Sequence, residues 1–246
     1  MVGNLILRGL LVGLVAGLLS FGFAKFVGEP QVDKAIAFEA QMDAAKGEAP
    51  DEEIVSREVQ SSVGLLTGVV VYGTAIGGLY ALVFAFASGR VGRIGPRGLS
   101  ALLALAGFLA IVLIPQLKYP ANPPSVGDPE TIRQRTALFF IMIAASIAVM
   151  IGAVNLGLGL KRRLGPWNAT LAAAAVYIVV IAAIQLLLPD VNEVPQDFPA
   201  VVLWRFREAS LGLQIVLWAS IGLGFGWLTE RSAQQGFRFA KPARAR

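Results

Sequence analysis

The sequence contains no cysteine and no histidine, and only 15% of its residues are charged. Without cysteine, the chain has neither a disulfide framework nor a thiolate nucleophile. The commonest protein ligands of zinc, nickel, copper and cobalt are also missing, so any metal must bind oxygen or thioether groups. Soluble domains usually carry about 25% charged residues, and here the mean hydropathy is +0.67. This composition excludes an ordinary soluble domain and indicates a membrane protein.

Long apolar runs fill most of the chain. Crossing a hydrocarbon core takes about 20 helical residues, and barrel strands are much shorter than these runs. We predict an all-α polytopic membrane protein whose single transmembrane domain covers residues 1–246. Its six transmembrane helices are expected at approximately 5–27, 61–86, 98–116, 136–160, 168–188 and 210–228.

Charge is divided between two kinds of connection. The short connections "SGRVGRIGPR" and "KRRLG" are basic, as is the C-terminal tail, whereas all Asp and Glu residues except Glu230 lie in the longer connections. Basic loops favour the cytoplasmic side of a membrane. We therefore predict three hairpins with both termini in the cytoplasm. The pI of about 9.8 is explained by basic loops that lie at a membrane surface, and no nucleic-acid partner is expected.

The first outer connection, residues 28–60, is predicted to be an acidic loop containing a surface helix. Pro30 is expected to end the first transmembrane helix. After it, Ile36 and Phe38 interleave with charged residues, which is typical of an amphipathic helix. The acidic cluster Asp51–Glu53 is either a solvated face or a region that raises the local cation concentration.

Glycines recur at four-residue spacing, which indicates close helix packing. Ordinary glycine frequency in membrane helices is the alternative. An alternative for the first run is a cleaved secretory signal, because Arg8 precedes it and "GFAK" follows, but the glycine face favours a retained helix. The spaced glycines are Gly9, Gly13 and Gly17, then Gly64 with Gly68, Gly73 with Gly77, and Gly222 with Gly226.

The segment "LKYPANPPSVGDPETIRQRT" separates two apolar runs. Its four prolines forbid a regular helix, so backbone carbonyls such as those of Ala121 and Asn122 lack helical partners and are free to face an ion or water. Asp128 and Glu130 directly precede the next helix. They are expected either to cap it or to supply oxygen ligands.

Outer-side oxygen groups are the candidate metal ligands of this chain. Together they would form a hypothetical vestibule that gathers cations before they reach the membrane. For Glu29 the alternative is a solvated helix end. The candidate residues are Glu29, Asn122, Asp128, Glu130 and Glu208.

Several arginines lie on the outer side, against the bias that places basic residues inside. We expect them to hold the loops by ion pairing, Arg207 with Glu208 and Arg57 with Glu58, and the alternative is snorkelling toward the headgroups. The segments "SREVQSSVGLL", "TIRQRTALFF" and "RFREASLGLQ" share this basic entry into an apolar run, which suggests an internal repeat. The structural arginines expected in the loops are Arg57, Arg133 and Arg207.

The apolar runs carry no ionisable residue near their centres. No nucleophile system, phosphate-binding glycine loop or acid–base pair is present, so we expect no enzyme and no resident cofactor. Trp167 and Trp227 near the inner ends, with Tyr119 and Trp204 near the outer ends, are expected to form aromatic belts.

Several long motifs together resemble the CbtA family of predicted bacterial cobalt transporter subunits: "EPQVDKAIAFE", "SREVQSSVG", "LKYPANPPSVGDPETIRQRT", "GPWNATL" and "FPAVVLWRFREASLGLQIVLW". The resemblance implies a multi-pass protein of the bacterial inner (plasma) membrane, linked to cobalt uptake and cobalamin biosynthesis. It also implies a partner, the small single-span CbtB, whose histidines would supply the ligand that this chain lacks. Cobalt would be the substrate. The alternative is a non-transporting scaffold or accessory subunit that binds a partner protein through its outer loops.

Overall fold

The computed structural model describes residues 2–47, 54–92, 94–124 and 126–239, and these residues contain helices and no strand. Five of the described helices are long and apolar enough to cross a membrane. The predicted all-helical architecture is therefore confirmed and is consistent with a polytopic membrane protein, while the acidic cluster Asp51–Glu53 lies outside the described residues. The five helices are α1 (Val2–Lys46), α2 (Arg57–Ala87), α3 (Pro96–Lys118), α4 (Ile132–Leu187) and α5 (Ala200–Phe239).

Helix α1 continues past Pro30, so the prediction that this proline ends the helix is wrong. A π turn at Ala24–Gly28 directly precedes it. Proline has no N–H, and its ring clashes with the carbonyl of the preceding turn, so a wider turn at that point lets the helix continue. Helix α3 has the same arrangement, with a π turn at Phe108–Leu113 just before Pro115.

Helix α4 folds back on itself at Gly165. This glycine has φ 75° and ψ 166°, which is not helical, and Pro166 follows it. Ser146 Oγ and Tyr177 Oη are 2.8 Å apart although 31 residues separate them in sequence, whereas a straight helix would place them about 46 Å apart. The first arm (132–164) and the second arm (166–187) therefore run antiparallel.

The described residues form two compact units, and the first comprises Met1–Lys25, Val55–Leu105 and Leu213–Arg246. Its α1 and α2 pack through glycines: a Cβ on Gly77 would lie 2.7 Å from Gly13 Cα, and one on Gly17 would lie 2.8 Å from Val70 Cα. The predicted packing role of these glycines is confirmed. Gly68 faces open space, so its spacing from Gly64 marks no helix contact.

The α3 and α5 helices of the first unit also meet at small residues. A Cβ on Gly226 would lie 2.9 Å from Ser100 Cβ, and Ser100 Oγ donates a hydrogen bond to the Gly222 carbonyl at 2.6 Å. Tyr80 Oη lies 2.8 Å from Ser100 Oγ, and the fully buried Phe225 packs edge-on against Tyr80. The close packing expected at Gly222 and Gly226 is thus confirmed.

The second unit comprises Phe26–Ile54 and Ala106–Gly212. Both arms of α4 contribute to one of its apolar clusters, in which Met142 is fully buried. Tyr119 lies in this cluster and is only 8% exposed, so its prediction as an interfacial belt residue is wrong. Trp204, by contrast, is 63% exposed, as a belt residue should be.

A second apolar cluster packs against the C-terminal half of α1. Ala35 is fully buried beside Val126 and Phe198, and the Phe38 ring packs edge-on against Phe198 with centroids 5.0 Å apart. Residues Glu29–Lys46 are thus helical as a continuation of α1, and Ala35 and Phe38 pack on connecting segments of the second unit. The prediction of an amphipathic surface helix in this connection stays a prediction.

Candidate functional site

Two irregular segments of the second unit are joined by polar contacts. The segment 119–131 connects α3 to α4 and ends in a 3₁₀ turn at Pro129–Thr131. The segment 188–199 connects α4 to α5, and prolines keep both segments from forming regular α-helix. Lys118 forms an ion pair with Asp190. Tyr119 Oη donates to the Pro189 carbonyl at 2.9 Å. The two connections therefore form one layer at the end of their helices.

Arg207 of α5 holds the proline-rich segment. Its Nε donates to the Ala121 carbonyl at 3.2 Å, and its Nη2 donates to Asn122 Oδ1 at 2.9 Å. The Ala121 carbonyl, for which the sequence predicts no helical partner, thus accepts a hydrogen bond from the Arg207 guanidinium.

The expected pair between Arg207 and Glu208 is not formed. Glu208 instead lies 3.6 Å from Arg205. Residues three apart share a helix face, whereas adjacent residues point in different directions. The prediction was wrong because it paired sequence neighbours within what is a helix.

Glu193 is the acceptor around which the two segments meet, and the sequence pattern does not single it out. Its Oε1 accepts from the Thr131 hydroxyl, and its Oε2 accepts from the Asp128 N–H at 2.9 Å and lies 3.0 Å from Arg135 Nε. The hydrogen bond from Thr131 is the largest cause of a lowered pKa at Glu193. Partial burial opposes it, and the Asp128 N–H and the Arg135 charge lower the pKa further.

Replacing Glu193 with glutamine is expected to loosen the junction of the two segments. A group with a lowered folded pKa stabilises the fold above its unfolded pKa, and this stabilisation is lost as pH falls through the folded value. The stabilisation should begin to be lost below about pH 4, and acidification below the lowered folded pKa of Glu193 should mimic Glu193→Gln. We expect the protection factor of the Asp128 amide, measured by hydrogen exchange in detergent, to fall about tenfold.

Asp190→Asn is the matched control, because Asp190 is also in an ion pair but its side chain is 92% exposed. Asp190 pairs with Lys118 and takes no part in the hydrogen bonds that join Glu193 to Asp128 and Thr131, so protection at Asp128 should change less than about twofold. Equal effects of the two substitutions would contradict a special role for Glu193.

A cavity of about 320 Å³ lies beside this junction. Its wall includes Tyr119, Asn122, Arg135, Thr136, Glu193 and Arg207. All of them belong to the second unit. The cavity is of the size that small ligands occupy in proteins.

The predicted metal ligands are not assembled into one chelating group. Asp128 Oδ1 accepts from the Glu130 N–H at 2.9 Å, so Asp128 caps the 3₁₀ turn Pro129–Thr131 and not α4, whose N-cap is Thr131. Asn122 lines the cavity, but its Oδ1 is engaged by Arg207. Glu29 is buried in α1 and 9% exposed. Within the described ranges, no three His, Cys, Asp or Glu residues lie close enough to hold a metal ion.

Two other predicted loop arginines have different surroundings. Arg57 is half-buried at the start of α2, with Glu58 exposed beside it, and Arg133 is exposed. In the first unit it is Lys25 that joins α1 to α2, because its Nζ donates to the Ser61 carbonyl at 3.0 Å. The pairing of Arg57 with Glu58 stays a prediction.

Comparison with known proteins identifies the family. No curated protein and no solved structure matches this chain. The family model for the probable cobalt transporter subunit (CbtA) matches residues 2–230, which include most of α5 and all of α1 to α4. The chain therefore belongs to the CbtA family of probable cobalt transporter subunits.

Proposed function

We propose that this chain is an integral component of a cobalt uptake system in the bacterial inner membrane. The observation that carries the proposal is the family match over residues 2–230. Helices long and apolar enough to span a bilayer agree with a transport role. Cobalt is the substrate, and we propose neither a resident cofactor nor an enzymatic activity.

We propose six membrane spans with both termini in the cytoplasm. The reversal at Gly165 divides α4 into two arms, each of which exceeds the about 20 residues that a crossing needs. The basic sequence "KRRLG" lies at this reversal, as expected for a cytoplasmic connection. The connections on the opposite side then carry most of the acidic residues.

Single-cysteine labelling tests this orientation, because the natural chain has no cysteine. An impermeant maleimide added to intact spheroplasts should label Asp190→Cys and leave Arg162→Cys unlabelled until the membrane is opened. Labelling of Arg162→Cys in closed spheroplasts would reverse the proposed topology.

We propose that outer-side oxygen groups gather the cation, by the charge of the carboxylates rather than by chelation, with the neutral amide of Asn122 beside them. The absence of a metal-binding cluster among the described residues supports weak collection of a hydrated ion. Since the chain has no histidine, a small single-span, CbtB-like partner would supply the imidazole that Co²⁺ favours. The vestibule residues are Glu29, Asn122, Asp128, Glu130 and Glu208.

Cobalt accumulation tests the function. Cells without other cobalt uptake, expressing this chain with its single-span partner, should accumulate cobalt above the level of cells carrying an empty vector. Mass spectrometry of washed cells measures the metal. Simultaneous replacement of Glu29, Asp128 and Glu208 by alanine should reduce initial uptake at limiting cobalt by about tenfold, because field focusing raises local ion concentration by about 10-fold or more.

The control variant also removes three negative charges, but from other carboxylates on the outer side. Glu58, Asp190 and Asp197 are all exposed, and their joint replacement by alanine should leave uptake near the wild-type level. If the two triple variants behave alike, the vestibule is wrong. If reconstituted liposomes holding both subunits show no cobalt flux while the subunits still co-purify, the chain is a scaffold.

A further inference from the structure

The polar part of the wall of the second-unit cavity carries more cationic than anionic groups. Two of its lining residues, Arg135 and Arg207, carry a guanidinium, and one, Glu193, carries a carboxylate. The amide groups of Asn122 and Asn192 and the hydroxyl of Thr136 are also in the wall. The charge and donor content of the wall therefore suit a ligand that is rich in acceptors.

The Glu193 carboxylate is already committed to protein donors. The Thr131 hydroxyl, the Asp128 N–H and Arg135 all approach it. Its negative charge neutralises Arg135 at 3.0 Å, and each of its oxygens already accepts one hydrogen bond from the protein. The guanidinium of Arg207 consequently determines the net charge of the cavity.

Arg207 lacks such a counter-charge. Its two acceptors are the Ala121 carbonyl and the Asn122 amide oxygen, both neutral, and no carboxylate of the described residues pairs with it. A guanidinium has five N–H donors in a planar fork. Two are used to hold the segment 119–131, and three remain in a half-buried position on the cavity wall.

We propose that this cavity binds an oxyanion, a carboxylate or phosphate group that takes up the free N–H groups of Arg207. Guanidinium forms its strongest hydrogen bonds with these groups. A bare divalent cation is disfavoured in the same place because the charge is positive. The cavity shares Asn122 with the proposed vestibule, but its net positive charge separates it in chemistry from the vestibule carboxylates, and it does not depend on cobalt transport.

Two sources offer this chemistry, a small soluble anion and the phosphate of a lipid headgroup. The full chain, purified in neutral maltoside micelles, is titrated with citrate and with inorganic phosphate by calorimetry. Retention of phosphatidylglycerol against phosphatidylcholine is measured by native mass spectrometry. Binding in the first assay identifies a soluble anion, and selective retention in the second identifies a headgroup.

Arg207→Gln should raise the dissociation constant of whichever ligand binds. The expected increase is about tenfold to a hundredfold, the range for a charged hydrogen bond. Arg205→Gln is the matched control, because Arg205 is exposed, pairs with Glu208 and is not among the residues that line the cavity. It should change binding by less than about twofold.

A second variant keeps the experiment decisive if Arg207→Gln unfolds the chain. Thr136→Asp leaves the contacts of Arg207 with Ala121 and Asn122 in place and adds a carboxylate to the cavity wall, so it should also abolish oxyanion binding. The proposal is overturned if neither citrate, phosphate nor phosphatidylglycerol binds, or if binding survives Thr136→Asp. Cobalt accumulation is measured separately, so failure here leaves the transport proposal standing.

Discussion

Replacing Gly77 with alanine is expected to lower the thermal stability of the protein strongly. The new methyl carbon would lie 2.7 Å from Gly13 Cα and closer still to the Gly9 carbonyl oxygen. These are backbone atoms of α1, so a rotamer change cannot relieve the clash and the two helices must separate. Overpacking typically lowers the free energy of unfolding by about 1–3 kcal/mol. A clash with backbone atoms is expected to cost the upper end of this range or more.

Gly68→Ala is the matched control for this prediction. Gly68 is on the same helix, has nothing within 4 Å of a built Cβ and should tolerate the methyl group without loss. The measurement is the monodisperse fraction after stepwise heating in detergent, followed by size-exclusion chromatography. An unchanged transition for Gly77→Ala would mean that α1 and α2 are not packed through this glycine face.

The glycine pattern shows how much of the packing could be predicted. The spacing of Gly9, Gly13 and Gly17 fixes one face of α1, and that face makes the contact. The same spacing at Gly64 and Gly68 marks no contact, because four-residue periodicity defines a face and not its partner. Which helix lies opposite depends on long-range packing that local spacing does not encode.

The polar junction was predicted only in part for a similar reason. The prolines of 117–136 predict irregular backbone and unpartnered carbonyls, and that much is correct. The group that satisfies the Ala121 carbonyl is Arg207, 86 residues later in the chain. Glu193 lies 62 residues from Thr131 and belongs to no motif, so no local signal indicates its role.

The prediction that α1 ends at Pro30 was wrong for a different reason. A proline within a helical pattern normally ends or kinks the helix. One wider turn, at Ala24–Gly28, changes the hydrogen-bond register just before the proline. Such π turns depend on the packing of the whole helix, and the residues AKFVG carry no composition that distinguishes them from an ordinary turn.

Gly165→Ala is expected to destabilise the reversal of α4, on which the proposal of six spans depends. A φ of 75° with ψ of 166° is a region that only glycine occupies readily, and another residue there costs about 1–3 kcal/mol. The melting temperature in detergent should fall by about 2–10 °C. Gly159→Ala is the control, since Gly159 has no positive φ and nothing within 4 Å of a built Cβ.

A crosslink reports directly on the two arms of α4. A Cβ built on Gly157 lies 3.1 Å from Ala173 Cβ, close to the spacing of about 3.5–4.5 Å in a disulfide, so the double variant Gly157→Cys/Ala173→Cys should oxidise within one chain. In a straight helix these positions would be about 24 Å apart, and no crosslink would form. Adding Gly165→Ala should lower the crosslinked fraction, whereas adding Gly159→Ala should not. An uncrosslinked double variant would make α4 one continuous helix and would remove the basis for both termini lying on the same side of the membrane.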